Sequence, residues 1–101
     1  VDYQRYYPAT INDTQAAQEA LDAAATIATT IVAPDPAFTS EDFAFMLRAK
    51  PGAFVFMGNG SAPDGAVHAL HTPLYDFNDA ALPHGVAFWV NLVRQELNAA
   101  S

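Results

Sequence analysis

Five consecutive apolar residues, Ala53-Phe54-Val55-Phe56-Met57, stand between the breaker Pro51-Gly52 and the turn sequence Gly58-Asn59-Gly60. An apolar run of this length without alternation reads as a strand buried on both faces, the habit of a sheet covered by helices. One other stretch has strand character. Val1, Tyr3, Arg5 and Tyr7 alternate with Asp2, Gln4 and Tyr6 until Pro8, which has no ladder donor, ends the pattern. A lone strand has nothing to pair with, so partners for residues 1–7 are expected outside the chain or in residues 53–57. The chain opens directly on this pattern, and a piece of a longer protein is expected.

Between and after these segments the apolar spacing changes to three and four. Asn12-Asp13-Thr14 offers side-chain oxygens to the first free amides of a helix. Ala17, Ala20, Leu21, Ala24, Ala28, Ile31 and Val32 mark its apolar face, which Pro34 and Pro36 end. Thr39 or Ser40 is expected to cap a short helix over residues 41–49. Acids at its start and Arg48 and Lys50 at its end suit the helix dipole. Asn78 or Asp79 caps a turn, Pro83 suits a first helical position, and Leu82, Val86, Trp89, Val90, Val93 and Leu97 form the stripe of a last helix. The order β, α, α, β, α predicts part of an α/β layered fold.

Charge and composition remove several functions. Four basic against eleven acidic residues leave a net charge of −7. That excludes a phosphate-backbone binder driven by positive charge, and it weighs against an anionic membrane surface as partner. The chain has no cysteine, so disulfides, thiolate catalysis and cysteine-ligated zinc cannot come from this stretch. No apolar run approaches the ~18 residues of a membrane span, and no leader is expected. Nucleic acid and membrane are both set aside as partners.

The residues richest in chemistry lie in the string Leu70-His71-Thr72-Pro73-Leu74-Tyr75-Asp76-Phe77-Asn78-Asp79. A neutral imidazole is the commonest protein ligand for zinc-like ions, which makes His71 a candidate metal ligand. The alternative is an exposed loop histidine, with Asp76 and Asp79 as turn and cap residues. His68, three residues before His71, shares no guaranteed direction with it in a loop, and two ligands do not make a site. Ser40-Glu41-Asp42 offers either catalytic carboxylates or an ordinary helix start. Gly58-Asn59-Gly60 offers either backbone amides to a substrate or simply a turn.

Taken in order, these motifs resemble a known family. Thr39-Ser40-Glu41-Asp42-Phe43-Ala44-Phe45-Met46, Pro51-Gly52-Ala53, Gly58-Asn59-Gly60, Leu70-His71-Thr72-Pro73, Tyr75-Asp76-Phe77-Asn78-Asp79 and Leu82-Pro83-x-Gly85 are similar to the C-terminal end of the metal-dependent aminoacylases and carboxypeptidases. The branch resembled most is that of the hippurate hydrolases and N-acyl-L-amino-acid amidohydrolases. The opening Tyr3-x-Arg5-Tyr6-Tyr7-Pro8 region and Ile11-Asn12-Asp13 resemble the point where that branch passes from lid to catalytic domain.

The resemblance implies an α/β fold: residues 1–11 end an α+β lid, or dimerisation, domain, and residues 12–101 are the C-terminal segment of a two-metal aminopeptidase-like catalytic domain. It implies cleavage of the amide bond of N-acyl amino acids at two divalent ions, zinc, manganese or cobalt, with His71 as one metal ligand. The general base, a glutamate, and the other ligands are implied upstream, so this segment alone is expected to be inactive. Gly58, Asn59 and Gly60 are expected near the substrate. Asp76, Asn78, Glu41 and Asp42 are expected as loop and site support. The implied partners are the remainder of the same chain, a small N-acyl amino acid and a second copy through the lid. A cytoplasmic location is expected. The alternative is a non-catalytic dimerisation or scaffold piece derived from the same family.

Overall fold

The structure is a computed structural model and describes residues 1–29 and 35–100. Its regular elements are three helices, α1 (Thr14–Ala25), α2 (Phe43–Ala49) and α3 (Leu82–Ala99), with a 3-10 turn over Asp79–Ala81 leading into α3. Among the described residues there is no β-strand. The expected α/β architecture, with a lid strand at residues 1–7 and a buried strand at 53–57, is therefore corrected to helices joined by irregular chain. The physical reason is pairing. Apolar and alternating patterns show that a segment would suit a sheet, but a strand exists only where a second backbone supplies the ladder. Neither segment has such a ladder. The closest approach is Asp13 N–H donating to the Gly52 carbonyl at 2.9 Å, just before the apolar run.

α1 starts where its cap allows. Asp13 lies in the extended region and its Oδ1 accepts from Ala16 N–H at 2.9 Å. The helix stops at Ala25, and the Thr26 hydroxyl donates to the Ala23 carbonyl at 3.0 Å. The expected apolar face ran further. Ala28 lies past the helix end, and Ile31, Val32 and the Pro34 stop lie outside the described residues. α2 begins two residues later than its acids led one to expect. The Glu41 carboxylate accepts from Phe43 N–H at 3.2 Å, while Asp42 occupies the cap position without a side-chain bond.

α1 and α3 pack in antiparallel sense. Asn91 Nδ2 donates to the Thr26 hydroxyl at 2.8 Å and Gln95 Nε2 donates to the Glu19 carbonyl at 3.1 Å, so numbers rise along one helix as they fall along the other. Ala20 and Ala23 are buried on α1. Small side chains let helices approach closely and bury little apolar area in doing so. The stripe that the sequence marks on α3 lies elsewhere: Leu82, Val86, Trp89, Val90 and Val93 are exposed, Trp89 by 63%.

Aromatic contacts attach the remaining pieces. Phe43 on α2 meets Phe54 at 5.6 Å between ring centroids, Phe54 meets Phe56 edge-on at 5.4 Å, and Tyr7 meets Phe45 at 5.9 Å. These separations are those of favourable ring pairs. They hold segments together without enclosing them. The only buried apolar residues are Ala20, Ala23, Ala44 and Ala81 among the described residues. The accessible surface is 8536 Å², against about 5,500 Å² for a compact monomer of this mass. The radius of gyration is 16.2 Å, against roughly 13 Å for a compact chain of this length. No helix among the described residues is long and apolar enough to cross a membrane.

A chain that buries only alanines has little hydrophobic stabilisation to set against its ordering entropy. Expressed alone, residues 1–101 should melt without a cooperative transition and should bind a hydrophobic dye or self-associate. Circular dichroism melting with analytical ultracentrifugation checks this, and a monomer with a sharp two-state transition would contradict it.

Candidate functional site

The histidine singled out from the sequence sits in the second of two small turns that build a loop over residues 60–75. In the first, Gly65 N–H donates to the Ala62 carbonyl and Ala62 N–H to the Ala66 carbonyl, both at 2.8 Å. Gly65 takes φ +80° there, a conformation that suits a residue without Cβ. In the second, the Thr72 hydroxyl donates to the Ala69 carbonyl at 2.9 Å and Tyr75 N–H to the Thr72 carbonyl at 3.1 Å. His71 lies inside that turn with φ 66°, the only non-glycine residue with positive φ among those described. The left-handed region costs an L-residue about 1–2 kcal/mol, so the turn imposes this geometry. The imidazole is exposed.

Asn59 closes the base of the loop. Its Nδ2 donates to the Asp76 carbonyl at 2.8 Å, and its Oδ1 accepts from Asn78 N–H at 2.8 Å. Asn78 in turn caps the 3-10 turn, its Oδ1 accepting from Ala80 N–H at 3.1 Å. Gly60, at φ +74°, fits between them: a Cβ at this position would lie 3.3 Å from Asn78 Nδ2. Met57 lies against Gly85 of α3, with Sδ 3.7 Å from where a Cβ would be. The turn at 58–60, the loop end at 76–78 and the start of α3 thus form one junction.

Of the sequence-expected site residues, Asn59, Gly60, Asp76 and Asn78 are brought together at this junction. Asp76 takes part through its backbone carbonyl, and the Asn59 amide is committed to backbone partners. Gly58 is open: a Cβ there would meet nothing within 4 Å. Glu41 and Asp42 stand at the start of α2, which reaches residues 52–56 through Phe43 and Phe54. His68 is half-buried in the loop, and His84 is exposed in the first turn of α3.

Among the described residues no three of His, Asp and Glu gather where they could hold a metal ion. The donors present do not make a divalent-metal centre by themselves; His71 offers one exposed imidazole. A surface cavity of about 450 Å³ lies elsewhere and is lined by Arg5, Tyr6, Tyr7, Phe45 and Arg48 among others. Neither His71 nor the 58–60 turn borders it.

Two positioning side chains escaped the sequence reading. Asn12 was grouped with the helix cap, yet its Nδ2 donates to the Phe54 carbonyl at 2.9 Å and its Oδ1 accepts from Phe54 N–H at 2.8 Å. No local pattern marks a partner 42 residues away. Thr72 fixes the His71 turn through its hydroxyl. A Thr-Pro pair beside a loop histidine was the available signal, since threonine hydroxyls commonly bond nearby backbone in turns.

Comparison with known proteins fixes the class. Residues 1–95 match the model of peptidase family M20/M25/M40, and the chain belongs to that family. Similar curated proteins include the IAA-amino acid hydrolase ILR1-like 5 of Arabidopsis thaliana, 34% identical over 62 residues, which cover 61% of this chain and 14% of that protein. The probable hydrolase sll0100 of Synechocystis sp. is 31% identical over 107 aligned positions, 91% of this chain and 26% of the relative. Thermostable carboxypeptidase 1 of Saccharolobus solfataricus is 27% identical over 79 residues, 78% of this chain and 20% of the relative. The alignments thus span between 14% and 26% of the length of these relatives. No solved structure matches the chain.

The junction gives a local prediction. In a folded protein carrying this segment, Gly60→Ala should destabilise by about 1–2 kcal/mol, because alanine must hold φ +74° with Asn78 Nδ2 3.3 Å away. Gly58→Ala should change stability by less than about 0.5 kcal/mol. Urea melts of the two variants against the parent protein check the contrast; equal effects would contradict it.

Proposed function

We propose that this chain is the C-terminal part of a longer metal-dependent amidohydrolase that cleaves the amide bond of N-acyl amino acids of the hippurate type. In the overall reaction water adds across the acyl–nitrogen bond. The acyl carbon keeps the hydroxyl oxygen, the nitrogen takes the proton, and a carboxylic acid and an amino acid leave. Family membership and relatives that are all named as hydrolases or carboxypeptidases support hydrolysis. An amide to an amino acid with a free carboxylate is common to an amino-acid-conjugate hydrolase and a carboxypeptidase, which supports the substrate class.

The observation that carries the reading is His71: an exposed imidazole, held in a left-handed turn, on a loop whose base is tied by Asn59. We assign it as one ligand of a pair of divalent ions, zinc, manganese or cobalt. When bound, such ions supply an acidified water and an electrophile for the acyl oxygen. The remaining ligands and the glutamate that serves as general base belong to the rest of the enzyme, so this segment alone is inactive. Residues 1–11 end the lid through which the enzyme dimerises, and residues 12–101 belong to the catalytic part. With the Asn59 amide occupied, any contact of the 58–60 turn with substrate falls to its backbone.

The test compares the three histidines in the full-length enzyme. His71→Ala should lower amide hydrolysis by at least a hundredfold and remove about one metal equivalent per chain, with folding retained. His68→Ala and His84→Ala should stay within about twofold of the parent. Bound metal measured by elemental analysis, together with turnover of an N-acyl amino acid, decides it. Full metal content and normal turnover in His71→Ala would overturn the assignment.

A further inference from the structure

The amide of Asn59 does more than close a turn. Its two bonds fall on the carbonyl of residue 76 and the N–H of residue 78, flanking Phe77, while its own backbone opens the 60–75 loop. Both ends of the His71 loop are therefore fixed by one side chain. Inside the loop, each half is held by its own turn, at residues 62–66 and 69–75. The Asn59 bonds tie together the two chain segments that form the base of the loop, residue 59 on one side and residues 76–78 on the other.

We propose that Asn59 is a positioning residue for the metal-binding histidine: its side-chain amide sets the base of the 60–75 loop and so the direction in which His71 is presented. This rests on the assignment of His71 as a ligand. Asn59 touches neither metal nor substrate in this role. It acts through the backbone of Asp76 and Asn78, and through Asn78 on the start of α3. Gly60 supports the arrangement, since a Cβ at φ +74° would be strained and would lie 3.3 Å from the Asn78 amide nitrogen. Metal ligation is sensitive to such outer support, and loss of a ligand-orienting partner typically weakens metal binding about 10–100-fold.

The experiment uses the full-length enzyme and three variants, Asn59→Ala, Asn59→Asp and His71→Ala. Asn59→Asp keeps an acceptor for Asn78 N–H but loses the donor to the Asp76 carbonyl, and it provides a second variant if the alanine form folds poorly. Hydrogen exchange at the Asn78 amide reads the clamp itself. Titration of the apo-protein with zinc alone reads the presentation of His71. Asn59→Ala should speed Asn78 exchange at least tenfold and weaken the affected zinc site about tenfold or more. Asn59→Asp should fall between alanine and the parent in both. A purely structural role would lower the melting temperature and leave zinc affinity unchanged, and that result overturns the proposal. If His71→Ala loses zinc while Asn59→Ala keeps it, the positioning role alone is rejected. If His71→Ala keeps full zinc affinity, the ligand assignment falls and takes this inference with it.

Discussion

Two primary amides do the work in this chain that a sheet ladder would otherwise do. An asparagine side chain carries a donor and an acceptor side by side, as a peptide group does. Asn12 satisfies both backbone groups of Phe54, the pattern a neighbouring residue makes in an antiparallel pair. Asn59 satisfies the carbonyl of residue 76 and the N–H of residue 78, the staggered pattern of a parallel neighbour. The first holds the start of the apolar run near α1, and the second holds its end near α3. Removing either side chain leaves two backbone groups to find water, at a net cost of about 0.5–1.5 kcal/mol per bond. The path of residues 52–60 depends on both.

Packing explains why so much rests on a few polar bonds. α3 has two usable faces. The one turned to α1 contains Asn91 and Gln95, which bond the Thr26 hydroxyl and the Glu19 carbonyl. The other contains Val86, Trp89 and Val93 and is exposed. Phe56, at 77% exposure, and Phe38 are likewise uncovered. A helix with a long apolar stripe belongs against a second layer, and here that stripe has no layer against it among the described residues. The buried set of four alanines contributes little of the ~1.5–3 kcal/mol that each enclosed large side chain supplies. Specific hydrogen bonds therefore decide the chain path, while burial decides little of it.

This division also sets what was legible in the sequence. Local chemistry was readable. Asp13 caps α1, Asn78 caps the 3-10 turn, and Pro83 opens α3, because each acts within a few residues of itself. Patterns that need a distant partner were misread. The alternation in residues 1–7 and the run at 53–57 report a suitability for pairing, and pairing also needs a second backbone. The α3 stripe was identified as apolar, but periodicity does not say which apolar face finds a neighbour. Asn12 was hidden for the same reason, since its bonds reach across 42 residues. At the site, the motif order singled out Asn59, Gly60, Asp76 and Asn78, which the fold does gather. The turn that forces His71 into the left-handed region left only the weaker Thr72-Pro73 signal.

Along residues 59–78 hydrogen bonds gather at the base of the loop and within its two turns, and His71 is exposed. A ligand-bearing loop needs this arrangement, because a donor must be accessible while its direction is fixed by groups that never touch the ligand. One imidazole still binds a divalent ion weakly, and no second or third donor gathers beside it among the described residues. Under the proposed assignment the chemistry is divided: this chain would contribute a direction and one lone pair, and the affinity and the reactive water would come from donors elsewhere in the enzyme. Such a division fits a segment with ordered polar bonding at residues 59–78 and only four buried alanines among the described residues.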